Sequence, residues 1–551
     1  MKKLLFALYL LTFLQLPAQE TMTTDQWQED LRFLQNTIHQ DYPFLFVKTT
    51  KEIFDAEVET LYKNIPNLEE HEIIIGMSRI ITLFKYGHMS VSYYKKPFEF
   101  HYLPFNLYEF NDGVYLQGVH KDYKKALGAK VVAINNVPIA DALKMVRPMA
   151  NAENEQYFKA YGINHLRVTE VLHAQGITDK LESSIKLTLV KKGKIFIQSF
   201  KTLPKGEIVP TSYRHVIKDE NWLDARNQVS TPLYLKDLNK IYFFEYLPEQ
   251  KAIYVRHSQI KDDPEEDTKT FYARVFDFIE NNDVEKLVLD VRLNGGGNNF
   301  LNKPVITGII ETKKINKVGS FFVIIGRGTF SACQNLVNEL DNYTNVIFVG
   351  EPTAENVNFY GDASAVPLPN SKIPVYLSYA WWQDKPAYNN AEWTEPNVPV
   401  DMSFEEYSSN QDPVLDAALT FSGDDFKPDP MKYISDLYIA GKIQELSQEL
   451  PKMVKDPRYD FFDFETELSK TGHRLLESGR PEEVQAGIGV FTFVTQLFPN
   501  SANSWKNLAE GYLKIGDNNI TIELLNKAIF LDSDGEIGKS SKEMLKKLTN
   551  K

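Results

Sequence analysis

Two stretches of the chain place polar residues with catalytic potential at the ends of buried strands. In the first, the apolar run 287–291 is followed by Arg292, Asn294 and three consecutive glycines at 295–297. This pattern predicts a buried strand that ends in a glycine turn. In the second, residues 321–325 predict another buried strand, and Ser331 precedes apolar residues at helical spacing. The sequence therefore predicts a serine at a strand-to-helix corner.

A serine in this position could act as the nucleophile of an acyl-transfer reaction. The N–H groups that open a helix have no partner within the helix and, together with the helix dipole, stabilise negative charge. Glycine N–H groups at 295–297 could supply a second donor for an oxyanion, because glycine has no side chain in the way. The alternatives are that Ser331 is an ordinary helix N-cap and that the glycines only form a turn.

Three stretches of the chain resemble, in the same order, the signature stretches of the S41 peptidases. They are LVLDVRLNGGG, GRGTFSACQNL and VGEPTAENVNFYGD, and the family comprises the C-terminal-processing (tail-specific) proteases and their tricorn-like relatives. The resemblance implies that Ser331 is the nucleophile. It also implies that the oxyanion donors are the backbone N–H groups of Ala332 and of a glycine in the NGGG stretch, here Gly296.

The resemblance also bears on the general base that a serine nucleophile needs. In the processing proteases the base is a lysine in a T-x-G-K stretch, and this chain has Asn356 at that position, which cannot act as a base. The tricorn-like branch uses a histidine in a stretch similar to D-G-H-T, and this chain has KYGHMSV. The resemblance therefore implies that His88 is the base. For the group that orients its ring, Glu351, Glu392 and Glu395 remain open alternatives.

The first 19 residues have the pattern of a secretory signal peptide. They contain Lys2 and Lys3, a leucine-rich stretch and a small-residue exit at Pro17 and Ala18. The apolar part is short for a membrane span, and an uncleaved anchor is the alternative. The pattern predicts an exported protein, periplasmic or secreted, with no integral membrane span beyond the signal.

Composition excludes several classes of function. The chain has 551 residues, of which 43% are hydrophobic, enough for several domains, and its net charge of -13 argues against a nucleic-acid partner. The single cysteine, Cys333, allows no internal disulfide and is predicted to be a buried packing residue. No H-E-x-x-H motif and no phosphate-binding loop occur, so we expect neither a metal nor a cofactor.

The N-terminal half is predicted to contain a helical domain and a small β domain. Residues 20–98 show apolar residues at helical spacing and carry His88 near their end, whereas 99–203 read as short strands with an Asn135-Asn136 hairpin turn. The stretch GAKVVAINNVPIADALKMV resembles an element of PDZ-like domains, which implies binding of an extended peptide at a sheet edge. The alternative is a plain β domain that packs between its neighbours.

The C-terminal half is predicted to contain the catalytic core and a helical tail. In 204–425 buried strands alternate with helices, which favours an α/β layer architecture like the ClpP/crotonase-like S41 core. Asp290 and Arg292 could form an ion pair there, and the aromatic run AWWQDKPAY could line a cleft or fill the core. Residues 426–551 resemble a degenerate tetratricopeptide pair, which docks on the core or binds a protein partner.

The predicted fold class is therefore α/β multidomain, with a helical cap, a PDZ-like β domain, an S41 core and a helical repeat. The predicted function is an exported serine endopeptidase that cleaves peptide or unfolded protein substrates through an acyl-enzyme. One alternative is a catalytically inactive peptide- or ligand-binding protein on the same scaffold. Another is an interaction module whose function resides in the C-terminal repeats.

Overall fold

The computed structural model describes residues 22–93, 98–227, 229–423 and 425–549. The predicted signal segment 1–19 lies outside these residues. Among the helices that are described, none is long and apolar enough to cross a membrane.

Three helices open the described chain, as predicted: α1 (Thr24–Asp41), α2 (Lys51–Asn64) and α3 (Glu70–Thr82). Thr23 caps α1 through a reciprocal pair of hydrogen bonds with Gln26. The apolar residues at helical spacing, such as Leu31 and Leu34, are buried. A short strand, β1 (Ser90–Val91), follows two residues after His88.

A seven-stranded antiparallel sheet follows these helices. The next elements in chain order are β2 (Phe105–Phe110), β3 (Gly113–His120), β4 (Lys130–Ile134), β5 (Val137–Pro138), α4 (Ile139–Val146), α5 (Glu155–Ala160), α6 (Thr169–Ala174), β6 (Ser184–Lys191), β7 (Lys194–Lys201), β8 (Thr211–Ser212), β9 (His215–Val216) and β10 (Trp222–Asp224). The order in the sheet is β10-β3-β4-β6-β7, with β2 beside β3 and β5 beside β4, while β8 and β9 pair separately. Asn135 and Asn136 have φ angles of 47° and 70°, which confirms the predicted hairpin turn.

The N-terminal helices and this sheet share one hydrophobic cluster. Leu31 of α1, Phe84 just after α3 and Leu116 of β3 are all fully buried in it. The N-terminal helices and the antiparallel sheet therefore pack together as a single body.

A second, mostly parallel sheet forms the centre of the C-terminal half. The elements from residue 242 to 420 are β11 (Tyr242–Leu247), β12 (Ala252–His257), α7 (Thr268–Asn281), β13 (Lys286–Asp290), α8 (Lys303–Glu311), β14 (Phe321–Ile325), α9 (Ala332–Tyr343), β15 (Ile347–Gly350), β16 (Asn358–Pro367), β17 (Pro374–Gln383), β18 (Val398–Pro399), α10 (Phe404–Ser409) and α11 (Pro413–Thr420). The sheet order is β11-β12-β13-β14-β15-β18, and only the β11–β12 pairing is antiparallel.

Side chains of this sheet alternate between two covered faces. Leu287 and Leu289 of β13 pack in one cluster with α7, α8 and α9, whereas Val288 packs in the other cluster with α11. This alternation follows from the two-residue period of a strand, and it confirms the predicted α/β layer architecture.

Strand β17 links the two halves of the molecule. It pairs with β16 on one side and with β1 on the other, where Ser90 lies opposite Tyr376. This pairing fixes the segment that carries His88 beside the C-terminal half. Trp381, from the aromatic run at the end of β17, is 46% exposed and does not fill the core.

The tail is helical, as predicted. Its helices are α12 (Pro430–Ile439), α13 (Ile443–Met453), α14 (Phe464–Glu477), α15 (Pro481–Leu497), α16 (Ala502–Lys514), α17 (Asn518–Leu531) and α18 (Glu536–Thr549). Leu450, Phe464 and Val494 pack in the same cluster as α11 on the second face of the parallel sheet. The first tail helices therefore dock on the core.

Candidate active site

Ser331 lies at the corner between β14 and α9 in an unusual backbone conformation. Its φ and ψ are 57° and −131°, and it occupies the N-cap position of α9 without capping the helix through its side chain. Its Oγ instead lies 2.8 Å from Nε2 of His88. The side chain is therefore directed to a histidine 243 residues away in sequence, and the interpretation of Ser331 as an ordinary cap does not hold.

The ring of His88 is held by aromatic stacking and by the backbone that precedes it. It stacks on Phe330, with ring centroids 4.6 Å apart, and lies parallel to Phe359 at 5.9 Å. The Gly87 N–H donates to Glu153 at 2.9 Å, and the Gly87 carbonyl accepts a hydrogen bond from the Tyr157 hydroxyl at 2.9 Å. A side chain at position 87 would collide with the rings of Tyr157 and Phe330. Only glycine therefore fits at position 87.

Two buried glutamates lie behind the histidine. Glu355 Oε2 accepts the Ser331 N–H at 2.9 Å and lies 3.8 Å from Nδ1 of His88. Glu153, whose side chain is fully buried, lies 3.6 Å from Nζ of Lys48. In the part of the chain that is described, His88 Nδ1 and Glu355 Oε1 have no hydrogen-bond partner. The site therefore contains a half-buried serine and histidine in one cluster with two buried carboxyl groups.

The surroundings shift the pKa values of the histidine and of one carboxyl group. Burial, and then the neighbouring Glu153, raise the pKa of Glu355 well above its usual range. Glu355 therefore tends to keep its proton. Burial lowers the pKa of His88, and the charge of Glu153 partly opposes this shift. A lowered pKa keeps the imidazole neutral, which is the form that accepts a proton.

The three glutamates suggested from the sequence are not the partner of His88. Glu351 pairs with Arg327 at 3.0 Å, and Glu392 is exposed while its backbone carbonyl accepts from Asn154. Glu395 lines a separate surface cavity with Arg458. The carboxyl group beside His88 Nδ1 is that of Glu355, one residue before Asn356 in the TAEN stretch, which sequence reasoning did not select. Glu153 carried no sequence signal, because it lies in a loop far from every motif.

The predicted oxyanion donors lie beside Ser331, but only one of them is free. The Ala332 N–H has no acceptor among the residues that the structure describes. Gly296 is in contact with the serine, since a Cβ at this position would lie 2.6 Å from Ser331 Cβ. Its N–H, however, donates to Asn294 Oδ1 at 2.9 Å. In this conformation the Gly296 N–H is therefore engaged within the glycine turn.

Other polar residues near the strand ends have structural roles. Arg292 pairs with Asp290 and with Asp412, each at 2.8 Å, which supports the interpretation of an ion pair that positions the turn. Cys333 is fully buried, and burial raises the pKa of its thiol, so the prediction of a packing residue is confirmed.

His88, Glu153 and Glu355 also offer ligand atoms within 4.8 Å of one another, as a metal site would. Backbone N–H groups already occupy one oxygen of each carboxyl group, from Gly87 on Glu153 and from Ser331 on Glu355. The contact between His88 and Ser331 Oγ uses Nε2, which leaves only Nδ1 of this ring toward Glu355. The arrangement is that of a hydrogen-bonded acid–base cluster.

Neither a model of a known protein family nor a curated protein sequence matches this chain. Among solved structures, it is similar to mature CPAF, with a TM-score of 0.51 and 11% identity over 72% of this chain and 96% of the CPAF chain. A serine-to-alanine mutant of CPAF gives a TM-score of 0.52 and 10% identity over 72% and 98% of the two chains. The photosystem II D1 C-terminal processing protease gives a TM-score of 0.33 and 12% identity over 68% and 93%. The chain therefore shares its overall fold with CPAF.

Proposed function

We propose that this chain is a serine endopeptidase of the S41 type that hydrolyses peptide bonds in extended polypeptides. The observation that carries the proposal is the 2.8 Å contact between Ser331 Oγ and His88 Nε2. These are the two residues that the S41 resemblance implies as nucleophile and base, and the fold brings them together from positions 243 residues apart. A nucleophile and a base within hydrogen-bond reach are the first requirement of covalent catalysis.

The reaction follows from this contact. His88 Nε2 takes the proton of Ser331 as Oγ attacks the scissile carbonyl carbon, and the carbonyl oxygen becomes an oxyanion. The tetrahedral intermediate collapses when the C–N bond breaks, and His88 passes its proton to the leaving amine. A water molecule, deprotonated by the same histidine, then attacks the acyl carbon. The bond between this carbon and Oγ breaks, the acyl group leaves as a carboxylic acid, and His88 returns its proton to Ser331 Oγ.

Glu355 is the group that we assign to orient His88. Its Oε2 lies 3.8 Å from Nδ1, so the pair has to close by about 1 Å to form a hydrogen bond. Catalytic hydrogen bonds are often long without substrate and shorten in the complex. The negative charge of Glu153 raises the pKa of His88 and thus favours the imidazolium that forms during the reaction. Glu153 acts through His88 and is a positioning residue.

The oxyanion would be held by the N–H of Ala332 and by the glycine turn. Because Asn294 accepts the Gly296 N–H in this conformation, that donor has to exchange partners when substrate binds. This observation also favours a second candidate function, a binding protein on the same scaffold with an incomplete oxyanion site. Loss of one oxyanion donor costs an enzyme about 100–1,000-fold in kcat, so the two candidates differ measurably.

The remaining sequence predictions enter the proposal as expectations. Residues 1–19 predict export to the periplasm or beyond. The β domain would present an extended peptide or unfolded protein substrate at a sheet edge. The helical tail would provide a surface for a protein partner in addition to its contacts with the core.

The test is cleavage of an unstructured protein, followed by mass spectrometry of the fragments. The chain without residues 1–19 is compared with Ser331→Ala, with His88→Ala and with the control His39→Ala. His39 lies in the last turn of α1 and pairs with Asp55 of α2. We expect the wild type and the control to cut, and both active-site variants to lose activity by orders of magnitude. Activity that survives in Ser331→Ala would refute the nucleophile. No cleavage by the wild type would favour the binding protein.

A further inference from the structure

A second histidine cluster lies between α3 and α6, away from Ser331. His71 Nε2 and His173 Nδ1 are 2.8 Å apart, although the residues are 102 positions apart in sequence. His71 is buried, whereas His173 is partly exposed near the end of α6. The carboxylate of Glu69, which is open to solvent, lies 3.5 Å from His71 Nδ1. One ligand atom from each of these three residues lies within 4.8 Å of the other two.

The charges around this cluster favour a cation. Besides Glu69, the carboxylates of Glu72 and Glu170 are close enough to act on His71. Burial and the neighbouring His173 nevertheless lower the pKa of His71, so its ring tends to be neutral. Neutral imidazole is the form that binds metal ions. Two ring nitrogens that face each other at 2.8 Å therefore lie close to several carboxylates.

We propose that His71, His173 and Glu69 form a binding site for a divalent transition metal ion such as Zn²⁺, with water as the fourth ligand. Imidazole nitrogen and carboxylate oxygen are common zinc ligands, and a tetrahedral site places two nitrogens roughly 3.3 Å apart at Zn–N distances of about 2.0–2.1 Å. The two rings have to separate by about 0.5 Å from their 2.8 Å contact. His173 can make this movement because its side chain is partly exposed.

The site would join two helices that are far apart in sequence and that no disulfide connects. Helix α3 ends at Thr82, six residues before His88, whereas α6 follows strands β2 to β5 in the sequence. A metal ion bound to both helices stabilises the folded chain, because the unfolded chain does not bring the ligands together. The proposal is independent of the hydrolytic function.

The test is titration of the metal-free full chain with Zn²⁺ by calorimetry, together with thermal unfolding. We expect one Zn²⁺ per chain and a higher Tm with zinc than with Mg²⁺, which prefers oxygen ligands. His173→Gln should weaken binding by about 100-fold or more, since loss of an outer-shell partner alone costs about 10–100-fold. Glu69→Gln should weaken it less. His39→Gln, which alters a histidine–carboxylate pair between α1 and α2, is the matched control and should bind like the wild type.

Two results would overturn this site. The first is a wild type that binds no zinc, or a His173→Gln variant that binds zinc as tightly as His39→Gln does. The second is zinc binding that is lost in Glu153→Gln and kept in His173→Gln, which would assign the ion to the cluster behind His88. Thermal unfolding of each variant without metal shows whether it is folded. If His173→Gln does not fold, Glu69→Gln tests the site at an exposed residue.

Discussion

The carboxyl group of Glu355 accepts a hydrogen bond from the backbone N–H of Ser331 at 2.9 Å. The backbone of Ser331 has φ 57° and ψ −131°, a conformation that costs a non-glycine residue about 1–3 kcal/mol. The same carboxyl group lies beside the ring nitrogen of His88 that faces away from the serine. Glu355 thus helps to hold the strained corner and also lies where the histidine needs an orienting partner.

The proposed general base predicts a specific pH dependence. Burial lowers the pKa of His88 from its ordinary value of 6.5, and only the neutral ring accepts the Ser331 proton. We therefore expect kcat/KM to fall on the acid side with a midpoint below pH 6.5. Glu153→Gln removes the charge that raises this pKa, so the midpoint should move further down. Profiles measured beside Glu392→Gln, an exposed glutamate, provide the comparison. An unchanged midpoint in Glu153→Gln would contradict this assignment.

The raised pKa of Glu355 predicts an effect on stability. A carboxyl group whose native pKa lies above its unfolded value stabilises the fold below that unfolded value, and the contribution is lost as pH rises through the native pKa. The unfolding free energy should therefore fall above about pH 4.5, by at most about 1.4 kcal/mol per pH unit, relative to Glu355→Gln. Urea unfolding at several pH values in a Ser331→Ala background measures the difference. Parallel curves for the two proteins would show that Glu355 titrates normally.

The backbone conformation of Ser331 predicts that glycine is better tolerated there than alanine. Both Ser331→Gly and Ser331→Ala remove the nucleophile, but glycine adopts positive φ without the cost of a Cβ. We expect Ser331→Gly to be more stable than Ser331→Ala by about 1 kcal/mol in chemical unfolding. The adjacent Ala332→Gly, in the first turn of α9, should instead lower the free energy of unfolding by roughly 0.5–1 kcal/mol. Equal stability of the two Ser331 variants would argue against strain at the corner.

The contact between Gly296 and Ser331 predicts a large cost for any side chain at position 296. A Cβ there would lie 2.6 Å from Ser331 Cβ and 2.9 Å from the Ala332 nitrogen. Gly296→Ala should therefore abolish cleavage and lower the Tm. Gly319→Ala is the matched control, because Gly319 has a similar positive φ of 82° and no atom within 4 Å of its added Cβ. Gly319→Ala should lower the free energy of unfolding by about 1 kcal/mol and keep its activity. Similar losses in both variants would show that φ alone is responsible.

The sequence predicted local structure well where a short pattern determines it. The strand-to-helix corner at Ser331, the Asn135-Asn136 turn and the buried position of Cys333 depend on neighbouring residues, and the structure contains all three. Glu153 and Glu355 were not predicted, because their proximity depends on how two loops distant in sequence pack against each other, as in the contact between Glu153 and the Asn356 N–H 203 residues later. The Gly296 N–H was expected to be free, and only the structure reveals that Asn294 accepts it.

The pairing of β1 with β17 has a consequence for the order of events during synthesis. Strand β1, just after His88, pairs with β17, which spans Pro374–Gln383. Ser331 follows His88 by 243 positions. A growing chain that ends between Ser331 and Pro374 contains the serine and the histidine but lacks β17, the strand that pairs with β1. The proposed hydrolytic activity therefore begins only after most of the polypeptide has been made. Chains that terminate before β17 would lack this activity.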